Sequence, residues 1–274
     1  MIENIRPDSL EELLTYLDQG DYYVFAGGTD LMIRKRQWQG AERRFDKAII
    51  YLSHLACLRG IIETETHYEI MACTTQNEVA QSAILPEYIK APIAQMATPS
   101  IRNLATIGGN VVNDASVGDS IPVFFALDAE VVLRSVHGVR RLPIEHFIQG
   151  KYHTALQHNE ILEKICIPKI NYDGFFYRKT GLRKASILSK LSVYVLFKVG
   201  ESSMEDIRVV VGAVNDVPIR SREAELQLLM NGDVASLVAA YKNRMAASDD
   251  KRSTKVYREE IACRLIDYYL REVM

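Results

Sequence analysis

The chain has 274 residues, 48% of them hydrophobic and 25% charged, with a formal net charge of -2; that is enough for one large domain or two to three smaller ones around a sizeable core. The near-neutral balance excludes the broad basic field that binds duplex nucleic acid, so Arg34-Lys35-Arg36 and Arg178-Lys179 read as solvated faces. No stretch approaches the length of a membrane span, and MIENIRPDSL at the N-terminus lacks a signal peptide's apolar core, so a cytoplasmic location is expected.

In chain order, the first predicted element is a helix. Ser9 and Glu12 have capping-box spacing, Leu10, Leu13, Leu14 and Leu17 share one face, and Gly20 supplies a stop. A strand at Tyr22 to Phe25 runs into Gly27-Gly28-Thr29-Asp30, after which Leu31 to Gln37 reads as helix. Strands are predicted at Lys47 to Ser53 and His67 to Thr75, and a second capping box, Thr75 with Glu78, opens a helix through QNEVAQSAI. A helix over Tyr88 to Met96 leads into a second double glycine, Gly108-Gly109, followed closely by Asn110, Asn113, Asp114, Ser116, Gly118, Asp119 and Ser120. A helix at Pro122 to Leu127 and strands at Ala129 to Arg134 and Glu160 to Pro168 complete this half. PKINYDG is turn-rich and predicts a boundary near residue 170. Beyond it lie a helical stretch at Ala185 to Ser192, strands at Val193 to Val199 and Ile207 to Val214, and helices at Glu223 to Met230 and Val256 to Val273.

Cys57, Cys73, Cys166 and Cys263 stand far apart, and neither they nor the six histidines have metal-ligand spacing, so no metal site is expected within this chain. The chemistry therefore concentrates in the two glycine pairs. Glycine lets the backbone approach a ligand and adopt positive φ, so successive N–H groups can face one concavity, a nest for phosphate oxygens. No Gly-x-x-x-x-Gly-Lys, no Gly-x-Gly-x-x-Gly behind the first strand and no serine-hydrolase elbow is present. What remains is a cofactor diphosphate held by two loops outside the Rossmann pattern, against the simpler reading of two tight turns.

AGGTDL, ATIGGNVVNDASVGDSIPVFFALDAEV and VVVGAVNDVPIR resemble the FAD-binding subunit of the molybdenum hydroxylases, the family of xanthine, carbon monoxide and nicotinate-type dehydrogenases. The resemblance spans nearly the whole chain. It implies an α+β fold, with two small α/β subdomains forming a PCMH-type FAD-binding domain (residues 1–56 and 57–169). A C-terminal domain, residues 170–274, would follow with a three-stranded antiparallel sheet and helices. It also implies FAD as cofactor, wrapped at its diphosphate by Ala26, Gly27, Gly28, Thr29 and Asp30, with Thr106, Ile107, Gly108, Gly109 and Asn110 as a second wall. Asp119 matches an acidic position near the ribityl group, and Leu162 one whose backbone holds the ring edge. In FFYRKTGLRKASILSKLSV, Ile187 matches a residue over the isoalloxazine ring. Lys190 matches a lysine that would favour the reduced, anionic flavin.

The resemblance further implies an electron-transfer role in a heterotrimer. Electrons would arrive from an iron–sulfur subunit beside a molybdenum-binding subunit, which hold the [2Fe-2S] clusters and the molybdenum cofactor. They would leave to NAD+, oxygen or a quinone. No catalytic acid, base or nucleophile is expected in this chain. No His or Cys sits in either loop, so the flavin is expected to be bound without a covalent link. A free-standing FAD oxidoreductase and a non-enzymatic nucleotide-binding module are the other readings of the same motifs.

Overall fold

The structure, a computed structural model, describes residues 4–36, 45–183, 188–201 and 203–274. Its N-terminal layer is built by α1 (Leu10–Gln19), whose Leu13, Leu14 and Leu17 are buried against Ile50, Leu52, Leu55 and Leu58. The Ser9 hydroxyl caps the helix by accepting from the Glu12 N–H at 3.1 Å. Glu12 returns the bond one residue earlier than a strict capping box, to the Asp8 N–H at 2.7 Å. Three short strands, β1 (Asn4–Ile5), β2 (Tyr23–Phe25) and β3 (Ile49–Tyr51), pair in parallel with β3 in the middle. Parallel neighbours need a crossover, and α1 supplies the one between β1 and β2. Behind β2 the chain turns into α2 (Leu31–Arg34).

The middle part follows a 3-10 turn at Ala56–Leu58. Strands β4 (Ile61–Glu63), β5 (His67–Met71), β6 (Glu130–Ser135), β7 (Gly138–Pro143) and β10 (Ile161–Pro168) form an antiparallel sheet ordered β4-β5-β10-β6-β7. The two-stranded ribbon of β8 (Ile148–Gly150) and β9 (His153–Thr154) lies outside it. Between β5 and β6 run α3 (Gln76–Ala80), α4 (Glu87–Ala94), α5 (Pro99–Arg102), α6 (Ile107–Asn113) and α7 (Ser120–Ala126), and α8 (Ile144–Phe147) follows β7. The largest core joins Ile70, Ile89, Ile93, Ile107, Phe124, Val131 and Ile165.

The C-terminal part is an antiparallel meander of β11 (Gly174–Thr180), β12 (Leu191–Val199) and β13 (Met204–Gly212) with α9 (Arg222–Asn231), α10 (Val234–Arg244) and α11 (Lys255–Val273). β12 is buried on both faces, which explains its nearly unbroken apolar run. Leu191, Val193 and Val195 face the helices, whereas Tyr194 and Leu196 join the large middle core. Arg208, Arg220 and Arg222 all reach Asp128, just past α7. Two of them also donate to α7's last carbonyls, Arg208 to Ala126 at 2.8 Å and Arg220 to Phe125 at 2.9 Å. Cations at a helix C-terminus complement its dipole, so this cluster fastens α7 to the sheet.

The architecture is the α+β arrangement anticipated from the sequence, with its three-stranded antiparallel sheet and helices at the C-terminal end. Two local expectations differ, and two elements were not anticipated. The second double glycine lies inside α6 rather than in an open loop, because Thr106 caps a helix through it. No helix forms over the described residues 188–192, since the β-branched and aromatic run from Leu191 joins the sheet; the first residues of that expected helix, 185–187, lie outside the described residues. The strand β11 and the helix α10 carry no expectation at all: Arg178-Lys179 disguises the first, and α10 follows α9 after only Gly232 and Asp233. Among the described residues no helix is long and apolar enough to cross a membrane.

Candidate functional site

The first glycine pair forms one wall of a cleft of about 290 Å³, a size at the lower end for small-molecule sites. Gly27 presses against the segment before α6, where a Cβ would lie 2.1 Å from the Leu104 carbonyl oxygen. Gly28 has φ +71, and a Cβ there would enter the Phe25 ring. Both positions therefore require glycine, one for close approach and one for backbone conformation. The loop is pinned from behind: Ser53 Oγ donates to the Ala26 carbonyl at 2.9 Å and the Leu52 N–H to Phe25 at 2.9 Å. Its carbonyls at Gly28 and Asp30 accept from Met32 and Arg34. In contrast, the backbone N–H groups of Gly27, Gly28, Thr29 and Asp30, and the Thr29 hydroxyl, donate to no acceptor among the described residues. These loop residues line the cleft.

The opposite wall is α6, and its donors are mostly taken. Ile107 N–H bonds the Thr74 carbonyl and Gly108 N–H the Ala72 carbonyl, both at 2.9 Å. Gly109 N–H bonds the Thr106 hydroxyl at 3.1 Å. The expected second backbone nest is thus absent at these three groups. Gly108 serves packing instead, because a Cβ would sit 2.5 Å from the Ala72 Cβ. Asn110 accepts from Ser120 Oγ at 2.5 Å, and its Nδ2 donates to no described residue. Asn113 Nδ2 donates to Asp30 at 3.1 Å, joining the two walls.

The start of β10 closes the cleft with Glu160, Ile161 and Leu162, and a register shift between Leu162 and Lys164 breaks the regular ladder there. Burial raises the Glu160 pKa, but pairing with Arg140 and the Gln157 N–H outweigh it and hold the carboxyl below its ordinary range. Arg34 brings a cation to the rim, 4.3 Å from the centroid of the Tyr152 ring. No Cys or His is among the described lining residues.

Of the residues singled out from the sequence, Ala26, Gly27, Gly28, Thr29, Asp30, Thr106, Gly108, Gly109, Asn110 and Leu162 meet in this cleft. Ile107 is fully buried in the core. Asp119 is also buried, accepting from Lys179 and from the Ser189 hydroxyl rather than facing the cleft. The Lys190 Nζ stands 4.8 Å from the centroid of the Tyr257 ring, also away from the cleft lining. Ile187 lies outside the described residues. Sequence reasoning missed Gln76, which lines the cleft from the first turn of α3. Its only sequence signal was its place behind the Thr75 cap.

Residues 1–170 match the family model described as FAD binding domain in molybdopterin dehydrogenase. The chain is 30% identical over 208 residues to the xanthine dehydrogenase FAD-binding subunit of Escherichia coli O157:H7, covering 74% of this chain and 70% of the relative. It is 29% identical over 242 residues to the nicotinate dehydrogenase FAD-subunit of Eubacterium barkeri, covering 83% and 79%. Among solved structures, a chain of reconstituted CO dehydrogenase from Oligotropha carboxidovorans superposes with TM-score 0.90 at 25% identity, over 100% of this chain and 97% of that one.

Proposed function

The chain belongs to the family of FAD-binding domains of molybdopterin dehydrogenases, and on that premise we propose that it is the flavin-carrying electron-transfer subunit of a molybdenum hydroxylase, with its FAD held in the cleft between residues 26–30 and α6. The observation that carries this reading is the row of four consecutive backbone N–H groups, Gly27 to Asp30, without partners among the described residues and belonging to residues that line a cleft. Such a row suits the oxygens of a diphosphate. The two glycines leave room for a ligand to lie against the backbone, and Arg34 adds positive charge at the rim. The residues present therefore fit the cofactor.

In this reading Gly27, Gly28 and Thr29 donate to the diphosphate from backbone and hydroxyl. Asp30 holds the loop to α6 through Asn113, a better use of a carboxylate than facing phosphate. Thr106, Ile107, Gly108 and Gly109 shape the second wall, and Asn110 offers its amide nitrogen. Leu162 borders the far end. Asp119, Ile187 and Lys190 are proposed for the flavin end on the strength of the resemblance. The parts 1–56 and 57–169 would enclose the cofactor, and 170–274 would reach its ring. With no Cys or His on the described lining, the flavin is held by non-covalent contacts. When bound, FAD supplies the capacity to accept electrons and pass them on as a pair.

The names of the relatives, FAD-binding subunit and FAD-subunit, support a place in a larger assembly. We assign as partners an iron–sulfur subunit that delivers electrons and a molybdenum-binding subunit that acts on the organic substrate, with NAD+ or another acceptor taking them up. Native isolation from the source tests this. The chain is expected to elute with two other subunits and to release its flavin on acid precipitation. Elution of the chain alone, or flavin retained in the acid pellet, contradicts the assignment.

A further inference from the structure

We infer that Ser120 is a positioning residue of the cleft: its hydroxyl holds the Asn110 amide by its oxygen, so that the nitrogen is the end presented to the bound dinucleotide. This rests on the proposal that the cleft takes FAD and deepens it, naming what sets the polarity of the second wall.

A serine at the start of a helix is ordinarily a capping residue. Ser120 is not: α7 is entered through Asp119, no side chain caps it, and the Ser120 hydroxyl reaches across to Asn110 on α6. The Oγ–Oδ1 separation of 2.5 Å is that of an O–H···O bond and is too short for an amide N–H. Ser120 is fully buried, and this is the hydroxyl's one hydrogen bond among the described residues. Gly118 packs on the same side, where a Cβ would lie 3.7 Å from Oδ1. The amide oxygen is therefore turned to α7. Nδ2 donates to no described residue, and Asn110 is only half-buried where it lines the cleft.

Neither end of this bond is free to drift. Asn110 N–H bonds the Thr106 carbonyl at 3.0 Å, in a helix whose Gly108 N–H is tied to Ala72, so its side-chain torsions alone remain to be set. On the other side, the preceding residue, Asp119, is held by Lys179 and Ser189 of the C-terminal part. The polarity matters because the backbone N–H groups of Ile107, Gly108 and Gly109 are already taken, leaving the Asn110 nitrogen to supply a donor. Phosphate oxygens accept hydrogen bonds from such a nitrogen, whereas an amide turned the other way would bring oxygen against oxygen. Without the hydroxyl both orientations are populated before binding, and affinity falls with the competent fraction.

A double-mutant cycle on the full chain tests this, with FAD affinity read by fluorescence titration of the flavin-free proteins: Ser120→Ala, Asn110→Ala and the pair. Ser120→Cys, whose thiol is a weak donor, stands in for the alanine variant if that does not fold. Ser120→Ala is expected to weaken FAD binding about 3- to 10-fold in the unmodified background and to leave the affinity of the Asn110→Ala protein unchanged. A residue that merely supports the fold would weaken binding by the same factor in both backgrounds, and that result overturns the inference. Unchanged FAD affinity in Ser120→Ala also overturns it while leaving the FAD reading intact. Failure of the unmodified chain to bind FAD overturns both.

Discussion

Asp114 ends α6 in the left-handed region, at φ 42, with its side chain 1% exposed and Oδ2 without a partner among the described residues. Burial pushes its carboxyl up to about 7, only partly opposed by the His153 backbone. The sign follows from proton linkage. The unfolded chain releases this proton near 3.8 and the folded one near 7, so the group's stabilising contribution is complete below about pH 4 and is lost as pH rises through 7. Asp114→Asn should therefore flatten the fall in melting temperature between those limits, as read by thermal scans in parallel buffers. An unaltered slope would refute the assignment. At this scale the glycines were legible in the sequence, since Gly27 and Gly28 meet backbone demands that only glycine satisfies. The place of Gln76 in the cleft lining and the Asn113–Asp30 bond were not, because both are set by tertiary packing between segments far apart in the chain.

At the scale of elements, the joint between α7 and the C-terminal sheet depends on a buried ion pair. Lys179 on β11 meets Asp119 at the start of α7, and both side chains are almost wholly buried. Ser189 just before β12 adds a second bond to Asp119. Removing one partner strands the other charge, so Lys179→Met should destabilise the chain by about 3–5 kcal/mol in denaturant unfolding. The double variant Lys179→Met/Asp119→Leu should recover most of that. A single variant within about 1 kcal/mol of the unmodified chain would show the pair to be idle. This pairing of Asp119 was not legible in the sequence, because a carboxylate beside a helix start fits cap, ligand contact and ion pair equally well. The helix α6 was hidden for a related reason. Its two glycines look like a turn, and only the Thr106 cap and the fit of Gly108 against Ala72 reveal a helix packed on a strand.

For the whole molecule, the expected ingredients are present: helix α1 over a small sheet, a central antiparallel sheet, and a three-stranded sheet with helices. The sequence did not reveal how closely these join. β12 lends one face to the large core and the other to α9, α10 and α11. Gly212 lets β13 approach Pro122 on α7, where a Cβ would lie 2.6 Å from the proline ring. Long-range joints of this kind leave no periodic trace in a sequence, whereas capped helices and glycine pairs do. They matter for function because they fix α7, and through it Ser120 and Asn110, at one wall of the cleft. The measurement that tests the account most directly is a titration of the full flavin-free chain with FAD, run beside Gly27→Ala. The account predicts saturable binding at one FAD per chain. It also predicts about a tenfold or greater loss in the variant, whose new methyl would force the loop off the Leu104 carbonyl. Failure of the folded chain to bind FAD, or equal affinity in the two proteins, would contradict it.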